Sequence, residues 1–229
     1  ADKLPDGVLD QPVVMAPTSS ERQLDRKNLR RASALLDEAG WPVGDDGMRR
    51  NAAGETLKVE ILNDSQSFDR VINPYVENLR ALGVDAVLTR IDNAQMTERE
   101  RSFDFDMVIG NFRTALTPST ELEQYFGSES AEFSIFNLAG YGTEAVDSLI
   151  DAVEAAEDRK TLDDAIRALD RVLRAEVFWV PQWFRNIHTI AYYDMYRYPE
   201  NLPPYALGTL DFWWFDQAAH DRLKAAGAF

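Results

Sequence analysis

The chain has 229 residues, 45% of them hydrophobic and 28% charged, and its 39 acidic against 24 basic side chains give a formal charge of −15. This is a globular composition, and the acidic balance argues against nucleic acid or an anionic membrane surface as partner, since both are bound by clustered Lys and Arg. Cysteine is absent, which excludes disulfides, thiolate catalysis and cysteine-ligated metal centres.

No run approaches the roughly 18 apolar residues of a membrane span. The first residues, Ala1 to Gly7, lack the basic-then-apolar pattern of a secretion signal. Residues 1–20 are rich in Pro, Asp and Ser and read as an extended lead-in rather than a folded element. From Asp25 onward Leu29, Ala32, Leu35, Leu36 and Ala39 share one helical face, and Gly40-Trp41-Pro42 stops the helix. Glycines at 44, 47 and 54 bracket a small hairpin or loop.

Leu57, Val59 and Ile61 alternate with charged residues as a strand. Phe68, Ile72, Tyr75, Leu79 and Leu82 follow at helical spacing up to Gly83, and Val84 to Ile91 reads as a second strand. Strand, helix and strand with short joints predict a parallel pair with a right-handed crossover. Pro74 inside the helical pattern predicts a kink or a late start. Asp92 caps a short helix to about Arg101, and residues 106–111 read as a third, buried strand.

A short helix near Glu121 to Phe126 leads into a polar loop, 127–142, carrying Phe133, Phe136 and Tyr141. Such a loop lies at the surface and can line a site. Two amphipathic helices come next, one built on Val146, Leu149, Ile150 and Val153, the other on Leu162, Ile166, Leu169, Val172 and Leu173. Residues 178–215 then hold 13 of the 25 aromatic residues, with strand-like runs at 177–180, 187–193 and 210–214. That belt is too rich for the core of one small sheet.

Few motifs carry chemistry. Gly140-x-Gly142-x-x-Ala145 opens a helix, but a second helix follows where a dinucleotide fold needs a strand, so a turn capped by Thr143 is the better account. His188 and His220 have no partner at metal-ligand spacing, and no zinc-hydrolase, nucleophile-elbow or phosphate-loop motif occurs. Asp104 and Asp106 flank a strand, where a turn or solvated role outweighs acid–base work. Asn111-Phe112-Arg113-Thr114 ends the third strand, and in an open α/β sheet the crevice beyond the strand ends is where ligands lie. Arg113 there can hold a carboxylate in its planar fork. Asn137, Tyr141 and Trp183 are the neutral or flat side chains that a tolerant pocket uses; ordinary loop and core packing is the competing account of them.

Several segments together resemble the extracellular solute-binding proteins of family 5, the peptide- and nickel-binding receptors of ABC importers. They are Ala32 to Pro42 (ASALLDEAGWP), Asn78 to Val84 (NLRALGV), Phe105-Asp106-Met107, and Asn137 to Tyr141 leading to Val146 to Ile150. The tail, 191–194 and 211–216, is most similar to the oligopeptide and microcin C receptor branch. The resemblance implies an α/β fold: the second lobe of a two-lobe, Venus-flytrap binding protein of type II, with a mixed sheet flanked by helices. Residues 1–184 would form most of that lobe, and 185–229 would return to the first lobe, the chain being the C-terminal half of a parent about twice as long.

The implied function is capture of oligopeptides or peptide-like solutes by lobe closure and delivery to the permease subunits of an ABC transporter. It implies no enzyme activity, cofactor or metal. The implied location is periplasmic, with the lipid anchor of the parent left open. The expected ligand-binding residues are Asn111, Phe112, Arg113, Thr114, Asn137, Tyr141 and Trp183. Peptide-binding relatives offer an Asp shortly before a Pro to the ligand's amino terminus; residues 112–118 here (FRTALTP) have no acid before Pro118, so a carboxylate-bearing ligand facing Arg113 is expected instead. Two other readings stand beside this one: an extracytoplasmic hydrolase using carboxylates such as Asp104 and Asp106, and an interaction domain whose aromatic tail docks a partner chain.

Overall fold

A computed structural model of the chain describes residues 4–112, 117–184, 187–203 and 207–229. The chain divides into two compact units, Ala1–Val180 and Pro181–Phe229.

The first unit opens with turns through residues 5–11 that drop Val8 into a helical core, where it is only 5% exposed. The expected extended lead-in is therefore anchored at its start, because one β-branched side chain and Leu4 beside it supply enough apolar contact. Helix α1 (Arg26–Glu38) begins at Asp25, whose carboxylate accepts from the amides of Lys27 and Asn28 at 3.0 Å each. It ends in a Schellman motif: Gly40 adopts φ +86°, its N–H donates to Asp37 O, and Trp41 N–H donates to Leu36 O. No α1 residue is fully buried, and Leu35 of the expected apolar face is 54% exposed.

Strand β1 (Lys58–Asn63), helix α2 (Asp69–Ala81) and strand β2 (Asp85–Arg90) form the expected parallel unit, with Lys58 opposite Asp85 and Asn63 opposite Arg90. Helix α2 runs through Pro74 without starting late. It ends in a second Schellman motif, Gly83 (φ +87°) donating to Arg80 O and Val84 to Leu79 O. Helix α3 (Asn93–Arg101) is capped by Asp92 as expected. Strand β3 (Met107–Val108) is shorter than its apolar run, and it pairs parallel with β1 through Ile61 and Leu62. The order is β2-β1-β3, all parallel, so the expected mixed sheet is a parallel one. Ile61, Ile72, Val76, Val84 and Ala86 form the core between this sheet and α2.

Helices α4 (Glu121–Phe126), α5 (Glu144–Glu154) and α6 (Arg159–Ala175) build the second core, centred on Phe126, Val146, Ile150, Leu169 and Val172. Thr143 caps α5 by accepting from Val146 N–H at 3.3 Å. After α6, Val177 stands at φ +51° and is 65% exposed. A β-branched residue in left-handed backbone costs roughly 1–2 kcal/mol, and the turn aims Phe178 and Trp179 back onto the second core.

In the second unit the expected strands at 187–193 and 210–214 are largely irregular. Among the described residues of this unit, only β4 (Tyr196–Arg197) and β5 (Trp214–Phe215) pair, antiparallel, followed by helix α7 (Gln217–Ala225) capped by Asp216. High β propensity makes a strand only where a neighbour accepts its ladder.

Candidate functional site

In a parallel sheet every strand delivers its carboxyl end to the same edge. Here that edge carries Asn63, Arg90 and the segment leaving β3, residues 109–112. Asn63 is buried and organises the turn after β1: its amide donates to Ser65 O (2.8 Å) and Asp69 Oδ1 (2.9 Å), and its oxygen accepts from Ser65 N–H (3.1 Å). Asp69 in turn pairs with Arg90. Burial, with Asp64 nearby, pushes the Glu100 carboxyl above its ordinary range.

Phe112 is the centre of the arrangement. Its ring meets Trp179 edge-on at 4.5 Å, stacks near Phe126 at 5.4 Å and meets Tyr125 edge-on at 5.5 Å, yet it stays 40% exposed. Trp179 continues to Phe178 (5.4 Å), and Phe178 stacks on Tyr141 at 4.8 Å with 15° between planes. An unbroken path of ring contacts thus joins the end of β3, the end of α6 and the loop before α5. Each such pair contributes about 0.5–1.5 kcal/mol beyond its buried area, so the wall is stiff while one face stays open. Phe133 (67% exposed) and Phe136 (51%) stand on the same loop, Phe136 edge-on to Tyr125.

The loop is fixed by Asn137, which is 2% exposed. Its Nδ2 donates to Tyr141 O (2.7 Å), Ser130 Oγ (3.1 Å) and Gly127 O (3.4 Å), and its Oδ1 accepts from Tyr141 N–H (3.2 Å). Ser128 is tied to α5 by Asp147, which accepts from its amide (2.8 Å) and hydroxyl (2.6 Å). Gly142 permits this approach, since a Cβ there would lie 2.4 Å from Ser128 Cα. The Tyr141 hydroxyl sits beside Thr143 and Glu176 but forms no hydrogen bond among the described residues, and burial pushes it up to about 12.

Of the expected ligand-binding residues, Asn111 is exposed at the end of the β3 segment, Phe112 is built into the aromatic wall, and Tyr141 is at its far end. Asn137 is the buried brace behind Tyr141, with its amide engaged by the loop itself. Arg113 and Thr114 lie outside the described residues. Trp183 belongs to the second unit, where it is 61% exposed. Sequence reasoning missed Phe126, Phe178 and Trp179; the only available signal was the aromatic density beginning at 178.

The carboxylate pair has structural duties. Asp104 accepts from Arg99 Nε (2.9 Å), whose Nη2 holds Glu60 (2.7 Å), and Asp106 accepts from the Glu60 amide (2.8 Å). Nothing aims the two carboxyls at a shared point, so the structure lends the hydrolase reading no support. Among the described residues no cluster of His, Asp and Glu could hold a metal ion, and no helix is long and apolar enough to cross a membrane.

Comparison with known proteins places these features. Residues 5–133 match the profile of the bacterial extracellular solute-binding proteins, family 5 Middle. The probable peptide-binding protein YejA of Agrobacterium fabrum is 40% identical over 205 residues, covering 89% of this chain and 33% of that protein. The peptidoglycan-binding protein YepA of the same organism is 29% identical over 199 residues, covering 86% and 32%. Among solved structures, the oligopeptide-binding protein AppA of Bacillus subtilis, in complex with a nonapeptide, superposes with a TM-score of 0.63 at 15% identity, over 82% of this chain and 37% of that one. The chain spans about a third of the length of the curated relatives it matches, where the sequence resemblance had implied a half.

Proposed function

This chain belongs to the bacterial extracellular solute-binding proteins of family 5, and from that premise we propose that it forms one wall of the ligand cleft in the substrate-binding subunit of an ABC importer. The solutes are oligopeptides or peptide-like compounds, with peptide-bearing cell-wall fragments as the leading class. That choice draws on the relatives named for peptide and peptidoglycan binding. The parent works in the periplasm and passes its ligand to the permease subunits.

The single observation that carries this reading is the exposed Phe112 at the carboxyl edge of the parallel sheet, braced by Trp179 and Phe126. A flat apolar face on a rigid backing accepts many side chains or a sugar ring at little ordering cost. An extended peptide pairs its backbone with groups near residues 111–114 and lays its side chains against the wall. Arg113 takes a ligand carboxylate. Asn137 acts behind the site, by holding the loop that presents Tyr141.

Affinity arises by closure: contacts from both lobes exist together only in the closed state, and that difference shifts the population toward it. In this account residues 1–184 form most of the second lobe and 185–229 return to the first; the two compact units divide slightly earlier, between residues 180 and 181.

Calorimetric titration of the full-length parent with an oligopeptide and with a muramyl peptide tests the reading. Phe112→Ala is expected to weaken binding about tenfold, the effect of roughly 1.4 kcal/mol. The 229-residue chain alone is expected to bind at least about a hundredfold more weakly than the parent. Equal affinity of chain and parent would overturn the two-wall mechanism, and binding of neither ligand by the parent would overturn the solute class.

A further inference from the structure

Five basic residues lie within ten positions at the start of α1: Arg22, Arg26, Lys27, Arg30 and Arg31. All are exposed, and among the described residues none forms an ion pair. On α6, by contrast, Arg159 pairs with Asp163 at 2.8 Å and Lys160 with Asp164 at 2.6 Å. Glu21 and Asp25 lie within the same stretch and leave residues 21–31 with a net charge of +3. Asp25 caps the helix, accepting from the Ser20, Lys27 and Asn28 amides at 3.0 Å, and Glu77 of α2 accepts from Gln23.

The arrangement opposes the helix's own electrostatics. Cations crowd the end where the macrodipole disfavours them, and Asp37 and Glu38 occupy the other end. On a chain with a charge of −15, a compact unneutralised basic cluster is a local reversal of sign. It adjoins a shallow recess of about 290 Å³ whose lining includes Arg30, Ser33, Arg49, Arg80 and Gly83 and no acidic residue. The recess borders Gly83, just before β2, at the sheet edge opposite the strand ends that carry the candidate ligand site.

We propose that the start of α1 is a docking surface for an acidic segment of a partner protein, one carboxylate side chain entering the recess between Arg30 and Arg80. Four of the five cations are arginines, whose planar forks match carboxylates in two-point contact. From Arg26 to Arg31 the cluster is about 8 Å long on the helix axis, the size of a local acidic motif rather than a long polyanion. A bilayer is disfavoured because the rest of the chain is repelled by an anionic plane; of the leucines here Leu29 and Leu36 turn inward, Leu36 against the sheet core, and Leu24 and Leu35 are exposed. Lying at the opposite edge from the ligand site, the surface can be occupied while solute is bound.

The test uses the full-length parent and an immobilised peptide of repeated Glu-Gly units, with a Gln-Gly peptide as its uncharged counterpart, measured by interferometry at low and physiological ionic strength. The Glu-Gly peptide is expected to bind in a salt-dependent manner and the Gln-Gly peptide not at all. The triple variant Arg26→Gln/Arg30→Gln/Arg31→Gln is expected to lose about tenfold or more, while Arg159→Gln/Lys160→Gln binds as the parent does. If the triple variant melts early, Arg26→Gln/Lys27→Gln reads the same loss at fully solvated positions. Undiminished peptide binding in these variants, or a preference for phosphatidylglycerol vesicles over the Glu-Gly peptide, overturns the proposal. Solute affinity measured on the same variants stays unchanged, so failure here is distinct from failure of the solute-binding reading.

Discussion

Arg49 is 0% exposed, and its guanidinium joins parts of the chain that are distant in sequence. Nε donates to Leu82 O (2.7 Å), Nη1 to Trp41 O and Asp37 Oδ1 (both 2.6 Å), and Nη2 to Ser33 Oγ (2.5 Å). Trp41 and Leu82 belong to the two Schellman caps, so one cation sits at the negative ends of α1 and α2. The same contacts account physically for two segments that carry the family resemblance: Asp37, Gly40 and Trp41 in one, Leu82 and Gly83 in the other. A Cβ on Gly83 would lie 2.6 Å from Gly47 O, which keeps a side chain out of the junction. Arg49→Met removes every one of these donors and leaves buried carbonyls unpaired, at an expected cost of about 3 kcal/mol, seen as a lower urea midpoint. Arg49→Lys is expected to recover only part of it, since an ammonium cannot reach acceptors on both helices. Sequence reading passed over Arg49 because one arginine among nineteen looks like any other until the partners converge.

Among the helices, acid caps recur: Asp25 before α1, Asp158 before α6 and Asp216 before α7 each accept from amides of the first turn. The Asn28 amide, followed by that of Ser20, holds the Asp25 carboxyl down to about 2. Asp158 is lowered chiefly by the Thr161 amide and Asp216 by that of Ala219. A carboxyl whose folded value lies below its unfolded one, roughly 3.9, stabilises fully above the unfolded value. That contribution fades as pH falls through the folded value. For Asp25 the window is thus between about 4 and about 2. Thermal melts of the chain across this range are expected to shift downward with acid, and Asp25→Asn, which still caps without titrating, is expected to reduce the shift. Helix α7 after Asp216 was not read from the sequence; the starts of α1, α3 and α5, at Asp25, Asp92 and Thr143, were readable in advance, because capping is local chemistry over three or four residues. The strands near 187–193 and 210–214 were not, because a strand exists only through its neighbour.

For the whole molecule, the second unit presents a large apolar surface when considered by itself: Phe184 is 86% exposed, Leu210 96%, Trp183 61% and Trp214 51%. A patch of this kind on a −15 chain marks a surface meant to be covered, and the proposed return to a first lobe supplies the cover. The 229-residue chain is therefore expected to enhance the fluorescence of an apolar dye such as ANS and the full-length parent to do so weakly; equal enhancement would mean that the parent leaves the belt open. The charge balance acts at the same scale, with a net charge of −15 over the whole chain and five cations concentrated at the start of α1.

What the sequence determined by itself was periodic and local: the helix starts and stops, the parallel strand-helix-strand unit, the aromatic wealth after residue 178 and the resemblance to a solute-binding family. These follow from spacing and from residues that act on near neighbours. Tertiary structure alone decided which aromatics form the wall around Phe112, that Asn137 braces the loop from behind, that Asp104 and Asp106 serve Arg99 and Glu60, and that Arg49 clasps two helix ends. Each of those depends on side chains brought together across tens of residues, and no pattern along the chain encodes a meeting that only folding produces.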